Sequence, residues 1–235
     1  MELKDKVAIV TGASSGVGRE IALRLAKEGV RLALIARDKE RLAKVSQEAV
    51  SLGSPKVQIY ECDLRYNEIL KLTVQKIVSD FGGVNILINN AGIWQKLTYL
   101  ENMTEDLIDD VIATNLTAVI HMTRLVLPSL KEQDEAAIIN ISSRSGVTAQ
   151  PGQTIYCASK WGVRGFTEVL KEDLRNTKVR VAGVYPAGIA TDLLDKAGDR
   201  IQTDNYSDPK DIAETIVFML SRPEKIWLHE VRIEY

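Results

Sequence analysis

Tyr156 and Lys160 are the two residues in this sequence whose types and spacing best suit a proton transfer. An α-helix has about 3.6 residues per turn, so positions i and i+4 lie on one face, and a phenol and an ammonium placed there can share one space. The same spacing is also common on the polar face of an ordinary amphipathic helix. The rest of the chain has to decide between these two interpretations.

Seven short apolar runs, with amphipathic segments between most of them, are the elements that must position this pair. The runs are KVAIVT, RLALIA, KVQIYE, NILINN, AAIINIS, VRVAGVY and IWLHEVRI. Nearly continuous apolar strands that alternate with helices predict a doubly wound (Rossmann) α/β domain, with a parallel seven-stranded sheet and helices on both faces. With 235 residues and 45% apolar composition, a single domain over 1–235 is expected. Ligands of such sheets bind beyond the carboxyl ends of the strands.

A glycine-rich stretch, TGASSGVGRE from Thr11 to Glu20, joins the first run to the first amphipathic segment. Glycine has no Cβ, so Gly12, Gly16 and Gly18 permit a tight turn, a close approach of a phosphate and close packing of helix on strand. The helix N-terminus then offers free N–H groups and the positive end of its dipole to a pyrophosphate. The spacing differs from the usual GxGxxG, and an ordinary strand-to-helix turn is the alternative.

The end of the second run indicates which dinucleotide the chain would bind. A carboxylate there would bind the 2′-hydroxyl of the adenosine ribose, whereas this chain has Ala36 followed by Arg37. A guanidinium can pair with a 2′-phosphate through charge-assisted hydrogen bonds worth about 1.5–3 kcal/mol. We therefore predict NADP(H) rather than NAD(H), with a surface ion pair between Arg37 and Asp38 or Glu40 as the alternative.

Three further loops follow apolar runs and supply polar or small residues. Asp63, after the third run, is placed to accept a hydrogen bond from an adenine amino group, and Asn89–Gly92, after the fourth, would let the backbone lie against a cofactor. Both are also residue types that turns prefer. Ser143 follows the fifth run, thirteen residues before Tyr156, so its hydroxyl and the phenol are expected to meet over one substrate oxygen.

Composition argues against several other classes of protein. The 30 Lys and Arg residues nearly balance the 32 Asp and Glu residues, and the signs are interspersed, so neither nucleic acid nor a membrane surface is expected as a partner. Two cysteines and two histidines, of which His121 is interpreted as a helix residue, are too few for a disulfide framework or a metal site. The start of the chain does not read as a secretory leader, and uncharged apolar runs of about 18 residues are absent, so a cytoplasmic location is expected.

Taken together, the motifs resemble those of the short-chain dehydrogenase/reductase family, in the family's order and approximate spacing. They are Thr11-Gly12-x-x-x-Gly16-x-Gly18, Asn89-Asn90-Ala91-Gly92, Asn115, Ser143 and Tyr156-x-x-x-Lys160. The resemblance implies an oxidoreductase that transfers a hydride between NADP(H) and a small carbonyl compound or secondary alcohol, such as a ketone, an aldehyde or a hydroxy acid.

The resemblance also implies a role for each catalytic residue. Tyr156 would be the general acid or base, with its pKa lowered from about 10 by Lys160 and by the oxidised nicotinamide. Lys160 would also bind the nicotinamide ribose, and Ser143 would hydrogen-bond the substrate oxygen. Asn115 would hold a water in a proton relay behind Lys160, at a local kink in its helix.

The family's cofactor site maps onto a defined set of positions, and the sequence departs from the family pattern in two places. The implied cofactor-binding residues are Gly12, Ser14, Ser15, Gly16, Val17, Gly18, Arg37, Asp63, Leu64, Asn90, Ala91, Gly92, Tyr156, Lys160, Pro186, Ile189 and Thr191. Ala187 stands where the family usually has glycine, which is expected to alter only loop detail. The frequent Gly-Gly tail is missing, which favours a small carbonyl over the substrate of a 3-oxoacyl-(acyl-carrier-protein) reductase, the alternative.

Four residues near the motifs are predicted to form the substrate pocket. Trp94, Gln95, Gln150 and Tyr185 are expected to line a pocket of mixed polarity under a short lid, 192–208. Such a lining suggests a small carbonyl substrate.

The sequence also allows other interpretations of Arg144 and of the function. Arg144 would bind a substrate carboxylate or an acyl-carrier phosphate, or is simply an exposed loop residue. A catalytically silent NADP(H)-sensing module is disfavoured by the complete catalytic set, and a nucleotide-sugar epimerase or dehydratase by the lack of room for a C-terminal substrate domain.

The helices expected over 104–127 and 156–174 could pair across a two-fold axis, which predicts a homodimer or homotetramer.

Overall fold

A seven-stranded parallel sheet forms the centre of the structure, a computed structural model that describes residues 1–199, 205–223 and 225–234. The strands are β1 Val7–Thr11, β2 Arg31–Ala36, β3 Val57–Glu61, β4 Ile86–Asn89, β5 Ala136–Ile141, β6 Val179–Pro186 and β7 Glu230–Ile233. Their order is β3-β2-β1-β4-β5-β6-β7, and every neighbouring pair is parallel. The crossover after β3 places β4 beside β1, so the winding direction reverses at the crevice between these two strands.

Helices cover both faces of the sheet, which confirms the predicted doubly wound domain. They are α1 Gly16–Lys27, α2 Lys39–Ser51, α3 Asn67–Phe81, α4 Glu105–Ile112, α5 Ala118–Lys131, α6 Thr154–Asp173, α7 Leu193–Lys196 and α8 Pro209–Leu220, with a π-helical segment Ala113–Thr117 between α4 and α5. Successive strand residues point to opposite faces of the sheet and contribute to two separate hydrophobic cores. In β1, Ala8 and Val10 pack with α1, α2 and α8, whereas Val7 and Ile9 pack with α3, α5 and α6. Because both faces are buried, the strands are nearly continuous apolar runs.

Element boundaries follow local signals, with one exception. Gly82 ends α3 with a φ of 75°, a left-handed conformation that glycine adopts at little cost. The predicted final strand over 226–233 is wrong in its first half, since β7 begins only at Glu230. There the Trp227 indole donates a hydrogen bond to the Val181 carbonyl at 2.8 Å, and the His229 carbonyl accepts one from the Gly183 N–H at 3.1 Å, so two single bonds attach this segment to β6 before the ladder begins.

The helical run 105–131 is long and apolar enough, by length and composition alone, to cross a membrane. The core helix of a soluble protein meets the same criteria, and here Met122, Val126 and Leu130 of α5 are buried against the sheet. His121 lies in α5, as its interpretation as a helix residue requires. The expected cytoplasmic location stays a prediction.

Candidate active site

The loops after strands β1 to β6 surround a cavity of about 910 Å³ at the carboxyl edge of the sheet. The predicted site residues that line it are Gly12, Ser14, Ser15, Gly16, Val17, Arg37, Asp63, Leu64, Asn90, Ala91, Gly92, Ser143, Tyr156, Lys160, Pro186, Ile189 and Thr191. The other two, Gly18 and Asn115, stand immediately behind its wall, against Gly12 and Gly92. The topology therefore brings the residues that the sequence singled out to one place.

The glycine loop after β1 packs directly against the loop after β4. Gly12 has a φ of 66°, and a Cβ on it would stand 2.9 Å from the Cα of Ala91. A Cβ on Gly18 would stand 2.3 Å from the Gly12 carbonyl oxygen. The Thr11 hydroxyl oxygen ties the two loops together by accepting hydrogen bonds from the N–H groups of Asn90 at 2.9 Å and Ala91 at 3.0 Å. This part of the cavity is a fixed cradle into which larger side chains would not fit.

The N-terminus of α1 opens onto the same cavity. Ser15 is its N-cap, and the first helical turn, 16–19, has no acidic side chain. The free N–H groups and the helix dipole there favour an anion. Lys196 Nζ lies 3.3 Å from Ser15 Oγ and also pairs with Asp192 at 2.8 Å. The cradle and its charge suit a pyrophosphate.

Arg37 follows β2 at the edge of the cavity, with its side chain exposed. Asp38, one of its alternative partners, pairs instead with Arg41 at 3.3 Å and caps α2 by accepting a hydrogen bond from the Arg41 N–H at 2.9 Å. Arg41 lines the cavity as well and approaches Asp192 at 3.6 Å. Sequence reasoning missed Arg41, although its position four residues after Arg37, in the first turn of α2, was an available signal.

Asp63 lines the cavity after β3, but its carboxylate already has a partner. Arg65 donates to it from Nε at 3.1 Å and from Nη2 at 2.7 Å, and also contacts Asp110. The hydrogen bonds from Arg65 hold the pKa of Asp63 below its usual value, although burial acts in the opposite direction. An adenine amino group that donated the predicted hydrogen bond would have to share the Asp63 carboxylate with Arg65.

Ser143, Tyr156 and Lys160 meet on one wall, where β5 ends and α6 begins. Lys160 Nζ lies 5.6 Å from the centre of the Tyr156 ring and donates a hydrogen bond to the Ile141 carbonyl at 3.4 Å. Tyr156 is 6% exposed and Lys160 5%. The phenol and the ammonium therefore share one largely dehydrated space, as their spacing predicted.

Burial sets the proton affinities of this pair. It raises the pKa of Tyr156 to about 12, and a side-chain hydrogen bond with Ser143 opposes this only in part. It lowers the pKa of Lys160 to about 8. The lowering of the phenol pKa that Lys160 and an oxidised nicotinamide were expected to cause is not found for the chain by itself, where burial is the largest cause and raises the pKa. At neutral pH the phenol holds a proton that it can donate.

Buried hydrogen bonds hold α6 on the sheet. Asn89 Nδ2 donates to Asn140 Oδ1 at 2.8 Å, and Asn140 Nδ2 donates to Thr167 Oγ1 at 2.9 Å. Ser142 Oγ donates to the backbone carbonyl of Lys160 at 3.0 Å. Buried polar groups that are paired in this way specify one arrangement of their elements. Sequence reasoning did not single out Asn140 or Thr167, which belong to no recognisable motif.

Asn115 lies in the π-helical segment, which is the local irregularity expected at this position. Its Oδ1 accepts a hydrogen bond from the Ile93 N–H at 2.8 Å, and its Nδ2 donates to the Ile93 carbonyl at 3.0 Å. A Cβ on Gly92 would stand 3.3 Å from Asn115 Oδ1 and 3.5 Å from Lys160 Nζ, so Gly92 lies in close contact with both groups. The role of Asn115 in a proton relay stays a prediction.

Two of the four residues expected around the substrate line the cavity, namely Trp94 and Gln150. The other two predictions are wrong. Gln95 is fully buried, and its amide oxygen accepts a hydrogen bond from the Tyr156 N–H at 2.8 Å, so it anchors the start of α6. Tyr185 lies in the interior, where its ring faces α6. Because β6 is covered on both faces, its apolar run does not reveal which side each residue takes.

Arg144 lines the substrate side of the cavity. Sequence reasoning missed Lys96, Gln153 and Tyr206, which also line it and which belong to no motif. Of the predicted lid over 192–208, residues 200–204 lie outside the described part of the chain.

Comparisons with known proteins agree with this geometry. Residues 6–202 match the family model described as short chain dehydrogenase. A 3-oxoacyl-(acyl-carrier-protein) reductase of Thermotoga maritima is 35% identical, over 94% of this chain and 92% of its own length. An alcohol dehydrogenase of the archaeon Thermococcus sibiricus, solved with 5-hydroxy-NADP, has a TM-score of 0.90 and 27% identity, over 98% of this chain and 96% of that one. A metagenomic short-chain oxidoreductase solved with NADP has a TM-score of 0.87 and 31% identity, over 100% of both chains.

Proposed function

Because this chain belongs to the short-chain dehydrogenase family, we propose that it transfers a hydride between NADP(H) and a small carbonyl compound or secondary alcohol, such as a ketone, an aldehyde or a hydroxy acid. The observation that carries the proposal is the continuity of the cavity. It runs from Arg37 and the glycine cradle at one end to Ser143 and Tyr156 at the other. A dinucleotide lying along it would bring its nicotinamide end toward the proton donor.

The residues of the cavity fit a phosphorylated dinucleotide. The cradle at Gly12 and Gly18 has no room for a Cβ, as close backbone approach to a phosphate requires. Arg37 places a guanidinium at the adenosine end, and Arg41 adds a second one that is shared with Asp38 and Asp192. The two structural neighbours described above were solved with NADP or a derivative of it, which supports the same cofactor here.

In the reducing direction, this chain's part of the chemistry is proton transfer and orientation. The bound cofactor supplies the hydride. Tyr156 donates its phenolic proton to the carbonyl oxygen, and its pKa of about 12 keeps it protonated at neutral pH. The Ser143 hydroxyl donates a hydrogen bond to the same oxygen. Lys160 would bind the cofactor ribose, and Asn115 would hold a water in the proton relay behind Lys160.

Reduction of a 3-oxoacyl-(acyl-carrier-protein) is the second candidate function. The observation in its favour is the 35% identity to the Thermotoga maritima enzyme of that name. Arg144 and Lys96 on the substrate side supply positive charge that an acyl-carrier phosphate would meet.

We infer a homodimer or homotetramer from the helices that flank the site. Ile120 of α5 and Trp161 and Val169 of α6 are exposed apolar side chains. Pairing of these helices between two copies would cover them.

The proposed function is tested by the oxidation of NADPH against a panel of ketones, aldehydes, diketones, β-keto esters and a 3-oxoacyl thioester, with NADH in parallel. We expect turnover that prefers NADPH and is fastest with a small carbonyl compound. Preference for the 3-oxoacyl thioester would select the second candidate. Binding of NADPH without turnover of any carbonyl would contradict both and favour a cofactor-sensing module.

Arg37→Ala tests the choice of cofactor. If the guanidinium pairs with the 2′-phosphate, its loss should raise the dissociation constant for NADPH by about ten- to a hundredfold and leave that for NADH unchanged. Titration of cofactor fluorescence measures both constants. Arg175→Ala, which removes an exposed arginine paired with Glu172 just beyond α6, is the matched control and should change neither constant. An unchanged NADPH constant in Arg37→Ala would refute the assignment.

A further inference from the structure

Trp94 and Asp199 join two loops through a contact that the proposed chemistry does not use. The Trp94 indole Nε1 donates a hydrogen bond to Asp199 Oδ2 at 2.6 Å, and the same oxygen accepts the Leu97 N–H at 3.0 Å. Asp199 is only 8% exposed, and its own N–H donates to the Leu194 carbonyl of α7 at 3.1 Å. A largely buried carboxylate thus links the loop after β4 to the segment after β6.

The indole of Trp94 lies against the ring of the proton donor. The ring centres of Trp94 and Tyr156 are 4.5 Å apart with an angle of 65° between their planes, an edge-to-face arrangement that aromatic pairs favour. Gln95 anchors the adjacent backbone through its hydrogen bond from the Tyr156 N–H at 2.8 Å. The indole is therefore fixed on one side by Tyr156 and on the other by Asp199, and it forms part of the cavity wall.

The segment that carries Asp199 is also attached at its other end, next to the glycine loop. Asp192 approaches Arg41 at 3.6 Å, and Lys196 Nζ lies 3.3 Å from Ser15 Oγ. These contacts hold the segment at the cofactor end of the cavity. Asp199 holds the segment at the substrate end. The cavity wall beside Tyr156 is therefore formed jointly by the loop after β4 and the segment after β6.

We propose that Asp199 is a positioning residue that holds Trp94 edge-on against Tyr156, and that Trp94 limits the size of the group next to the substrate carbonyl. The inference rests on the proposed oxidoreductase function and specifies its substrate class, a carbonyl compound with a small substituent on the side of the indole. A bulky substituent there would have to displace a side chain that is packed on an aromatic ring and bonded to a buried carboxylate, and charge-assisted bonds of this kind are the strong ones.

Trp94→Ala tests the size limit. With a methyl ketone and its phenyl-substituted counterpart as probes, the variant should raise the ratio of kcat/KM for the bulky over the small ketone by about tenfold or more, because it removes a wall rather than a reacting group. Trp94→Phe keeps an aromatic ring on Tyr156 and should change this ratio much less. An unchanged ratio in Trp94→Ala overturns the assignment.

Asp199→Ala and Trp94→Phe both remove the Trp94–Asp199 hydrogen bond, and Asp199→Ala also removes the bond from the Leu97 N–H, so a double-mutant cycle tests the positioning role. Each single variant should raise KM for the small ketone by about fivefold while the NADPH dissociation constant stays constant, and the double variant should be no worse than Asp199→Ala alone. Asp199→Asn retains an acceptor oxygen and should restore most of the wild-type KM. Effects that add in the double variant would refute the coupling.

Asp195→Ala is the matched control, since it removes an exposed carboxylate from the same segment and should leave KM unchanged. Binding of NADPH by each variant verifies folding, and the conservative variants Trp94→Phe and Asp199→Asn keep the test open if an alanine variant does not fold. Failure of the wild type to reduce any carbonyl would defeat the proposed function. Reduction by the wild type, with no change of size preference in Trp94→Ala, would defeat this inference alone.

Discussion

Replacing Tyr156 by phenylalanine is expected to lower kcat for carbonyl reduction by about 10²–10⁴-fold, the usual contribution of a positioned general acid. The substitution removes only the hydroxyl. The remaining ring fills the same buried space and keeps its contact with Trp94, whose ring centre is 4.5 Å away. Folding and NADPH binding should therefore persist while the proton source is lost. Steady-state oxidation of NADPH and a separate binding titration distinguish these effects.

Tyr99→Phe is the control for this experiment. Tyr99 lies in the loop after β4 and is 67% exposed, so loss of its hydroxyl should change neither turnover nor binding. Wild-type turnover by Tyr156→Phe would mean that another group protonates the substrate oxygen. Loss of NADPH binding together with turnover would mean that the phenol acts on the cofactor rather than as the acid.

The strands of this fold were predictable because a sheet covered on both faces requires nearly continuous apolar runs. The run RLALIA coincides with β2, Arg31–Ala36. The prediction fails just before β7, where the Trp227 indole bonds to the Val181 carbonyl and helps to attach a segment that is not part of the strand. An apolar run shows that a segment is buried, but it does not show which groups satisfy its polar atoms.

Much of the candidate site was predictable for a topological reason. In a parallel sheet the loops after successive strands share one edge, so Gly12, Arg37 and Ser143 come together although they lie far apart in sequence. Two properties were not predictable. The depth of burial that raises the pKa of Tyr156 depends on the whole packed structure. The Trp94–Asp199 hydrogen bond joins side chains that belong to no motif and that only the folded chain brings together.

Lys160→Met is expected to separate activity from stability. Turnover should fall by about a hundredfold or more, because the cavity loses the ammonium beside the proton donor. The free energy of unfolding at pH 7 should nevertheless rise by about 1–3 kcal/mol, since a buried ammonium whose pKa is lowered to about 8 is costly to keep charged. Methionine has a similar length and no charge to desolvate.

The pH dependence of this stability difference has a definite sign. In the unfolded chain the lysine pKa is about 10.4, so between pH 8 and that value the unfolded state binds more protons than the folded state. The Lys160 contribution to the free energy of unfolding therefore rises with pH across this window, and the advantage of Lys160→Met should shrink as it does. Urea unfolding of both proteins at pH 7 and at about pH 10 measures the change.

Lys210→Met is the matched control, because it removes an exposed ammonium from the first turn of α8. Its effect on stability should stay within about 0.5 kcal/mol at either pH. A Lys160→Met variant that is less stable than the wild type at pH 7 would mean that the ammonium makes bonds worth more than its desolvation costs. A stability advantage of Lys160→Met over the wild type that grows with pH would contradict the lowered pKa of Lys160. We therefore expect Lys160→Met to be more stable than the wild type and catalytically inactive, because the wild type keeps a charged group buried at the position where the reaction needs it.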